Sequence, residues 1–396
     1  MSHLPGNRPA RAGFALFSYG FRPFFLGAGL WGATAIALWI AMLTTGLTLP
    51  SRFDPLTWHV HEMLFGFVLA AVAGFLLTAI PNWTGRAPVT GAPLAALAGL
   101  WALGRVVALI STWMPAWLAV AADLAFPIAL AVVVAREIIV SGNRRNLPMI
   151  APVAVLALAD LLTDSSLEGF GRLSGYGWRL GLTAILILIS VVGGRIVPSF
   201  TRNWLAARRR SRLPAAAGAV DRLSLGLLHA TLLAWVFAPP GETVGIALLC
   251  AAGINLWRLF RWRGVDTHAE PLLLILHVGY AWLVIGVGAL GVSLLFPGFP
   301  FSAAIHALTA GAIGTMILAV MTRATRGHTG KELRADGMTT LIYALVTLAA
   351  AVRISAALAE RARADLLLVA AGLWVGAFGL FALRYAPLML RPRASE

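Results

Sequence analysis

Twelve apolar runs, set apart by Pro, Gly and Arg, constrain this chain more than any other feature, because about 20 mainly apolar residues match the thickness of a bilayer. They fall at 24–46, 58–80, 92–111, 115–139, 147–163, 178–200, 222–238, 243–262, 271–295, 302–322, 338–359 and 365–390. The expected fold class is all-α, a polytopic membrane helical bundle of about 12 transmembrane helices in one integral membrane domain over residues 1–396. Composition agrees: 59% of residues are hydrophobic and 12% charged, far below the quarter or so of charged residues in a soluble domain. No period of about 20 to 50 residues is visible, which sets solenoids aside. A six-plus-six organisation stays open, with its joint near the polar connection 201–221. Pro81, Pro198 and Gly327 read as helix stops.

The net charge of +15 is carried almost wholly by arginine, Lys331 being the single lysine. Counted from the amino terminus, even loops hold Arg86, Arg144, Arg145, Arg208 to Arg210, Arg212, Arg261, Arg263, Arg323, Arg326, Lys331 and Arg334. Odd loops hold mainly Arg52, Arg172, Arg361 and Arg363. Grouping Arg8, Arg11, Arg391 and Arg393 with the even loops predicts that both termini are cytoplasmic. The charge therefore reads as topology, with the lipid bilayer as partner and no nucleic acid. The amino-terminal apolar stretch is broken by Ser18, Gly20 and Pro23 and leads into a full span, unlike a cleavable signal peptide. Cys250 stands alone, so any metal must take His, Met, Glu or cofactor atoms.

The second run opens as WHVHEMLFGF, placing His59, His61 and Glu62 at the head of a span, where ionisable groups are costly unless they face protein, water or metal. On a regular helix His59, Glu62 and Met63 share a face, whereas His59 and His61 point about 200° apart. The two histidines serve one centre if the first turn is irregular and different partners otherwise. Glu62 reads either as a salt-bridge partner or as a proton carrier, since a desolvated carboxyl can exchange protons near neutral pH. The topology puts His59, His61 and His306 in an outer layer. His229 and His277 fall in an inner layer about 10 Å away, with His268 and His328 in or beside the inner loops. Imidazoles gathered from several helices suit haem iron or copper. Arg22, Arg105, Arg195 and Arg353 lie within or at the ends of runs. They read as snorkelling side chains or as forks for carboxylates such as haem propionates, with Asp123 and Asp160 as simpler partners.

Six motifs resemble the NnrS family: GFRPFF (20–25), WHVHEMLFGF (58–67), GFLLTAIPNWTG (74–85), GRIVPSFTRN (194–203), HALTAGAIGTMILAVMTR (306–323) and GHTG (327–330). The resemblance implies a multi-pass protein of the bacterial inner membrane, containing haem and copper and tied to the response to nitric oxide. It carries over His59, His61, Glu62, His306 and His328 within matched motifs, and His277 in LILHVGYAWL less specifically. His59, His61, His277 and His306 are the candidate metal ligands, Arg22 and His328 the candidate cofactor-binding residues, and Glu62 the candidate catalytic proton carrier. His59, His61 and His306 are expected to share one outer site. The implied chemistry is reduction of nitric oxide to nitrous oxide. The electron donor is unidentified, since the chain has no CxxCH, Rossmann glycine motif or cysteine cluster. A non-catalytic haem sensor, a metal-handling protein and a proton-coupled transporter are the alternatives. Reporter fusions test the orientation: a fusion after Arg212 should report cytoplasm and one after Pro297 the opposite side. The reverse pattern would invert every assigned depth.

Overall fold

The computed structural model describes residues 15–168 and 171–392, so Arg8, Arg11 and Arg393 lie outside the described residues. Among the described residues every regular element is helical, and twelve helices are long and apolar enough to cross a membrane. They are α1 (Phe21–Thr45), α2 (Pro55–Thr84), α3 (Ala92–Trp113), α4 (Ala116–Val140), α5 (Asn146–Asp164) and α6 (Leu173–Ala207). The second half comprises α7 (Ala219–Phe237), α8 (Glu242–Phe260), α9 (Pro271–Leu295), α10 (Phe301–His328), α11 (Gly337–Leu358) and α12 (Glu360–Leu390).

Two of the expected stops are not stops. Pro81 and Pro198 lie inside helices, and α2 and α6 continue to Thr84 and Ala207. A proline removes one backbone donor, but the turn beyond it can still form, and the Gly85 amide donates to the Pro81 carbonyl at 2.9 Å. Gly85 ends α2 in the left-handed conformation (φ 69°), which glycine adopts without steric cost. The start of α2 follows local chemistry too: the Asp54 side chain accepts from the Leu56 and Thr57 amides, and Pro55 occupies the first turn.

Each helix packs on its chain neighbour, and α12 packs back on α1, closing a ring. Arg22 fastens the closure by donating to the carbonyls of Met389 (3.2 Å) and Arg391 (2.6 Å), which puts the two ends of the bundle on one side. Inside the ring α2, α6 and α10 meet around a small apolar cavity of about 90 Å³, between residues such as Val68, Ile189 and Ile313. These three helices recur every fourth span, and each contains a π-helical segment: Glu62–Val68, Ile189–Gly193 and Ala307–Gly314. Such wide turns are uncommon and cluster at functional sites.

Lipid and interface residues cover the outside, including exposed Trp113, Trp117, Phe260 and Leu383. Between helices, close approach depends on small residues. A Cβ on Gly291 would lie 2.8 Å from the Gly245 carbonyl oxygen, so α8 and α9 touch backbone to backbone there. Gly291→Leu should force these helices apart at a cost of about 1–3 kcal/mol, read as a lower melting temperature in detergent. An unchanged melt would mean that the crossing yields without penalty.

Candidate functional site

The α2 helix presents two chemically different faces. One lines a cavity of about 460 Å³ whose walls come from α1, α2, α5, α6, α10, α11 and α12 and are mostly apolar. His59 and His306 both open onto it, from α2 and α10, together with Met63 and Arg353. From His59 onward the α2 lining residues are His59, Val60, Met63, Leu64, Phe67 and Val68. From α10 they include Ser302, Ile305, His306, Thr309, Ala310 and Ile313. Both sets repeat every four residues, whereas a regular α-helix would drift by about 40° per repeat. The π segments that begin just after His61 and His306 widen the turns and keep both series aimed at one cavity.

The two imidazoles are held differently. Trp39 stacks on His59, with ring centroids 4.6 Å apart and planes 11° from parallel, and the buried His59 Nδ1 has no hydrogen-bond partner. His306 Nδ1 lies 2.7 Å from the Ser302 carbonyl oxygen, which can only accept. Nδ1 therefore carries the proton, and a neutral His306 keeps a lone pair on Nε2, the arrangement common to metal-ligating histidines. Arg353 has no ion-pair partner among the described residues and offers its fork to an anionic group in the cavity.

The opposite face of α2 meets α3, α4 and α5 in an ionic cluster. His61 Nδ1 lies 2.9 Å from Glu62 Oε1, and Nε2 faces Asp123 Oδ2 at 2.9 Å, Asp160 Oδ1 at 3.1 Å and Asp164 Oδ1 at 3.3 Å. Arg105 bridges two of the acids, donating from Nη1 to Glu62 Oε1 (2.7 Å) and from Nη2 to Asp123 Oδ1 (2.6 Å). All six residues are at most 5% exposed. Gly66 makes room for the guanidinium, since a Cβ there would lie 2.5 Å from Arg105 Nη1. Phe53 stacks on His61 at 4.8 Å between centroids and helps close the cluster from above. One imidazole and three aspartates, with ligand atoms within 4.8 Å of one another, form a group able to hold a metal ion.

The structure thus brings His59 and His306 to one cavity and directs His61 and Glu62 away from it; His59 and His61 both lie in the regular turn Pro55–His61, before the π segment, so they keep the opposed directions of a regular helix and serve different partners. His277 lies elsewhere: its Nε2 is 2.8 Å from Thr201 Oγ1 near the end of α6, with Gly264 packed against the ring. His229, near the middle of α7, meets Ser190 Oγ at 2.7 Å. His328 stacks on Phe21 at 5.6 Å between centroids, and the Arg22 guanidinium lies 5.7 Å from the same ring. Arg22 and His328 therefore meet at the end of the bundle where the ring closes. Asp164 was not anticipated, and Asp160 was expected only as an arginine partner. The signal was their i, i+4 spacing in ALADLLTD, which puts both acids on one face of α5.

Arg105→Met should leave Glu62 and Asp123 without their buried counter-charge, at a cost of about 3–5 kcal/mol. Sharply reduced accumulation in the membrane and a lowered melting temperature are expected. Wild-type stability in this variant would show that the acids do not need the guanidinium.

A family model described as NnrS protein matches residues 15–393. No curated protein matches the chain.

Proposed function

The chain belongs to the NnrS family, which is associated with the response to nitric oxide, and from that footing we propose that it binds haem in the cavity between α2 and α10 and acts there in nitric oxide metabolism or detoxification. One observation carries the reading: two histidines from different helices open onto one apolar cavity, with the His306 tautomer set so that Nε2 keeps its lone pair for a metal. The orphaned His59 Nδ1, the apolar walls and Arg353 all suit a flat, largely apolar macrocycle with carboxylate arms. His59 and His306 are the residues that would hold the iron, and Arg353 the one that would meet a propionate. Bound there, haem supplies an iron centre able to take nitric oxide as a ligand.

The chain's own residues orient and insulate. Trp39 fixes the plane of His59, the Ser302 carbonyl fixes the ring of His306, and the apolar lining excludes water. Nitric oxide partitions into lipid and reaches such a cavity from the bilayer. Reduction of two nitric oxide molecules to nitrous oxide and water takes two electrons and two protons, with the electrons supplied by a separate donor. Glu62 sits behind the cavity, and its proton-handling role would run through His61, to which it is bonded. We place the shared end of the bundle in the cytoplasm, as the basic loops require, in a bacterial inner membrane.

Copper has a weaker fit. Copper(I) favours thiolate, thioether and imidazole, whereas the one metal-capable His/Cys/Asp/Glu group among the described residues is rich in carboxylate. We assign no residues to copper.

The same pair of histidines favours a second reading: if both would hold the iron at once, no position would be left open and the protein would sense rather than convert nitric oxide. Adding nitric oxide to the reduced purified protein separates the two, since only an open or displaceable position gives a new optical band. His306→Ala should lower haem occupancy by about tenfold or more while the variant remains in the membrane. Full occupancy in a folded His306→Ala protein would sink the assignment. His277→Ala tests the remaining ligand candidate, and loss of haem there would put a second centre beside Thr201.

A further inference from the structure

We propose that His61, Asp123, Asp160 and Asp164 form a site for one divalent cation that accepts mixed carboxylate and imidazole ligation, Mn²⁺ or Zn²⁺, at the junction of α2, α4 and α5. The proposal is independent of haem binding in the neighbouring cavity.

Hydrogen-bond accounting leads to it. If His61 Nδ1 donates to Glu62, a neutral ring presents a bare lone pair on Nε2 to three carboxylate oxygens at 2.9, 3.1 and 3.3 Å. Four acceptors converging on one point repel unless a cation lies among them. A proton on Nε2 satisfies only one, and Asp123 is the nearest. Asp164 then stays unserved: it is 1% exposed, aimed at the cluster, and neither of its oxygens has a hydrogen-bond partner. Asp160 Oδ1 is likewise buried without one.

Charge makes the same demand. Glu62, Asp123, Asp160 and Asp164 are four acids against the single guanidinium of Arg105, all out of reach of water. A dication removes most of that excess in one step. The wiring around the ring follows the carboxylate–histidine–metal pattern, in which the second ring nitrogen is held by an acid so that the first points at the metal. In this arrangement Glu62 and Arg105 are positioning residues, and the three aspartates and His61 are the ligands. Three carboxylate oxygens with one imidazole suit Mn²⁺ or Zn²⁺ and not copper(I).

The test is metal analysis of the full-length protein purified in detergent, followed by chelation with EDTA and readdition of Mn²⁺ or Zn²⁺ while thermal unfolding is followed. The expected result is about one equivalent of Mn²⁺ or Zn²⁺ per chain, a melting temperature that falls on chelation, and recovery on readdition. The double variant Asp160→Asn with Asp164→Asn should lose the metal by about tenfold or more and lose the response to readdition. If that variant does not accumulate, the wild-type chelation and readdition decide alone. Wild-type protein without divalent metal, whose melting ignores added Mn²⁺ and Zn²⁺, overturns the proposal and leaves protons as the neutralising charge. One equivalent of copper that the double variant loses would overturn it equally.

Discussion

Lipid offers no water to a polar side chain, so each ionisable group in this bundle must be answered from inside it. The demand falls hardest on α2, where two histidines and a glutamate occur within four residues. The solution is a division of labour across the thickness of one helix. His59 faces an apolar cavity shared with His306, while His61 and Glu62 face Arg105 and three aspartates from α4 and α5. Both are satisfied at once only if α2 holds one rotation about its axis. Within the π segment, Gly66 lets α3 come near enough for Arg105 to reach Glu62.

The same logic explains the core of the ring. The helices α2, α6 and α10 lie inside, surrounded by neighbours, and all three carry π segments. A helix with lipid on one side needs only a narrow buried stripe, which a regular turn supplies. A helix lining a cavity along several turns needs a stripe that does not drift, and wider turns provide it. On α2 and α10 the four-residue series of cavity residues spans the π segments, so local geometry and the shape of the site are one feature.

Much of this was legible in the chain. The number of spans and the all-helical class follow from apolar runs of bilayer length, and the twelve helices overlap the twelve expected runs. The expected depths grouped His59, His61 and His306 in one layer, and all three lie near the starts of α2 and α10, whereas His229, expected toward the other end, lies near the middle of α7. The partition of the outer histidines was legible only as one of two alternatives, because helix geometry alone could not say whether the turn Pro55–His61 is regular, as it is, or irregular. The ionic cluster was half visible: Asp123 and Asp160 were read as partners for the buried arginines as a group, but assigning Arg105 to Asp123 and joining them to His61 requires knowing that α4 and α5 pack beside α2. Pro81 and Pro198 misled because a proline breaks a helix only when the lost bond is not made up by packing, and both lie in helices supported on several sides.

The seam between α1 and α12 has a consequence for how the molecule is made. Arg22 reaches carbonyls 367 and 369 residues away in sequence, so the first helix to be synthesised is completed only by the last. Until then its buried face, with Phe21, Phe24, Phe25 and the glycines that receive Phe381 and Trp374, stands open to lipid or to membrane chaperones. Adjacent helices can pair as they emerge, but the ring closes as a late event with a long loop entropy to overcome. A nascent chain that stops short of α12 would therefore be a ring with a gap, its first helix lacking the carbonyls of Met389 and Arg391 that Arg22 binds.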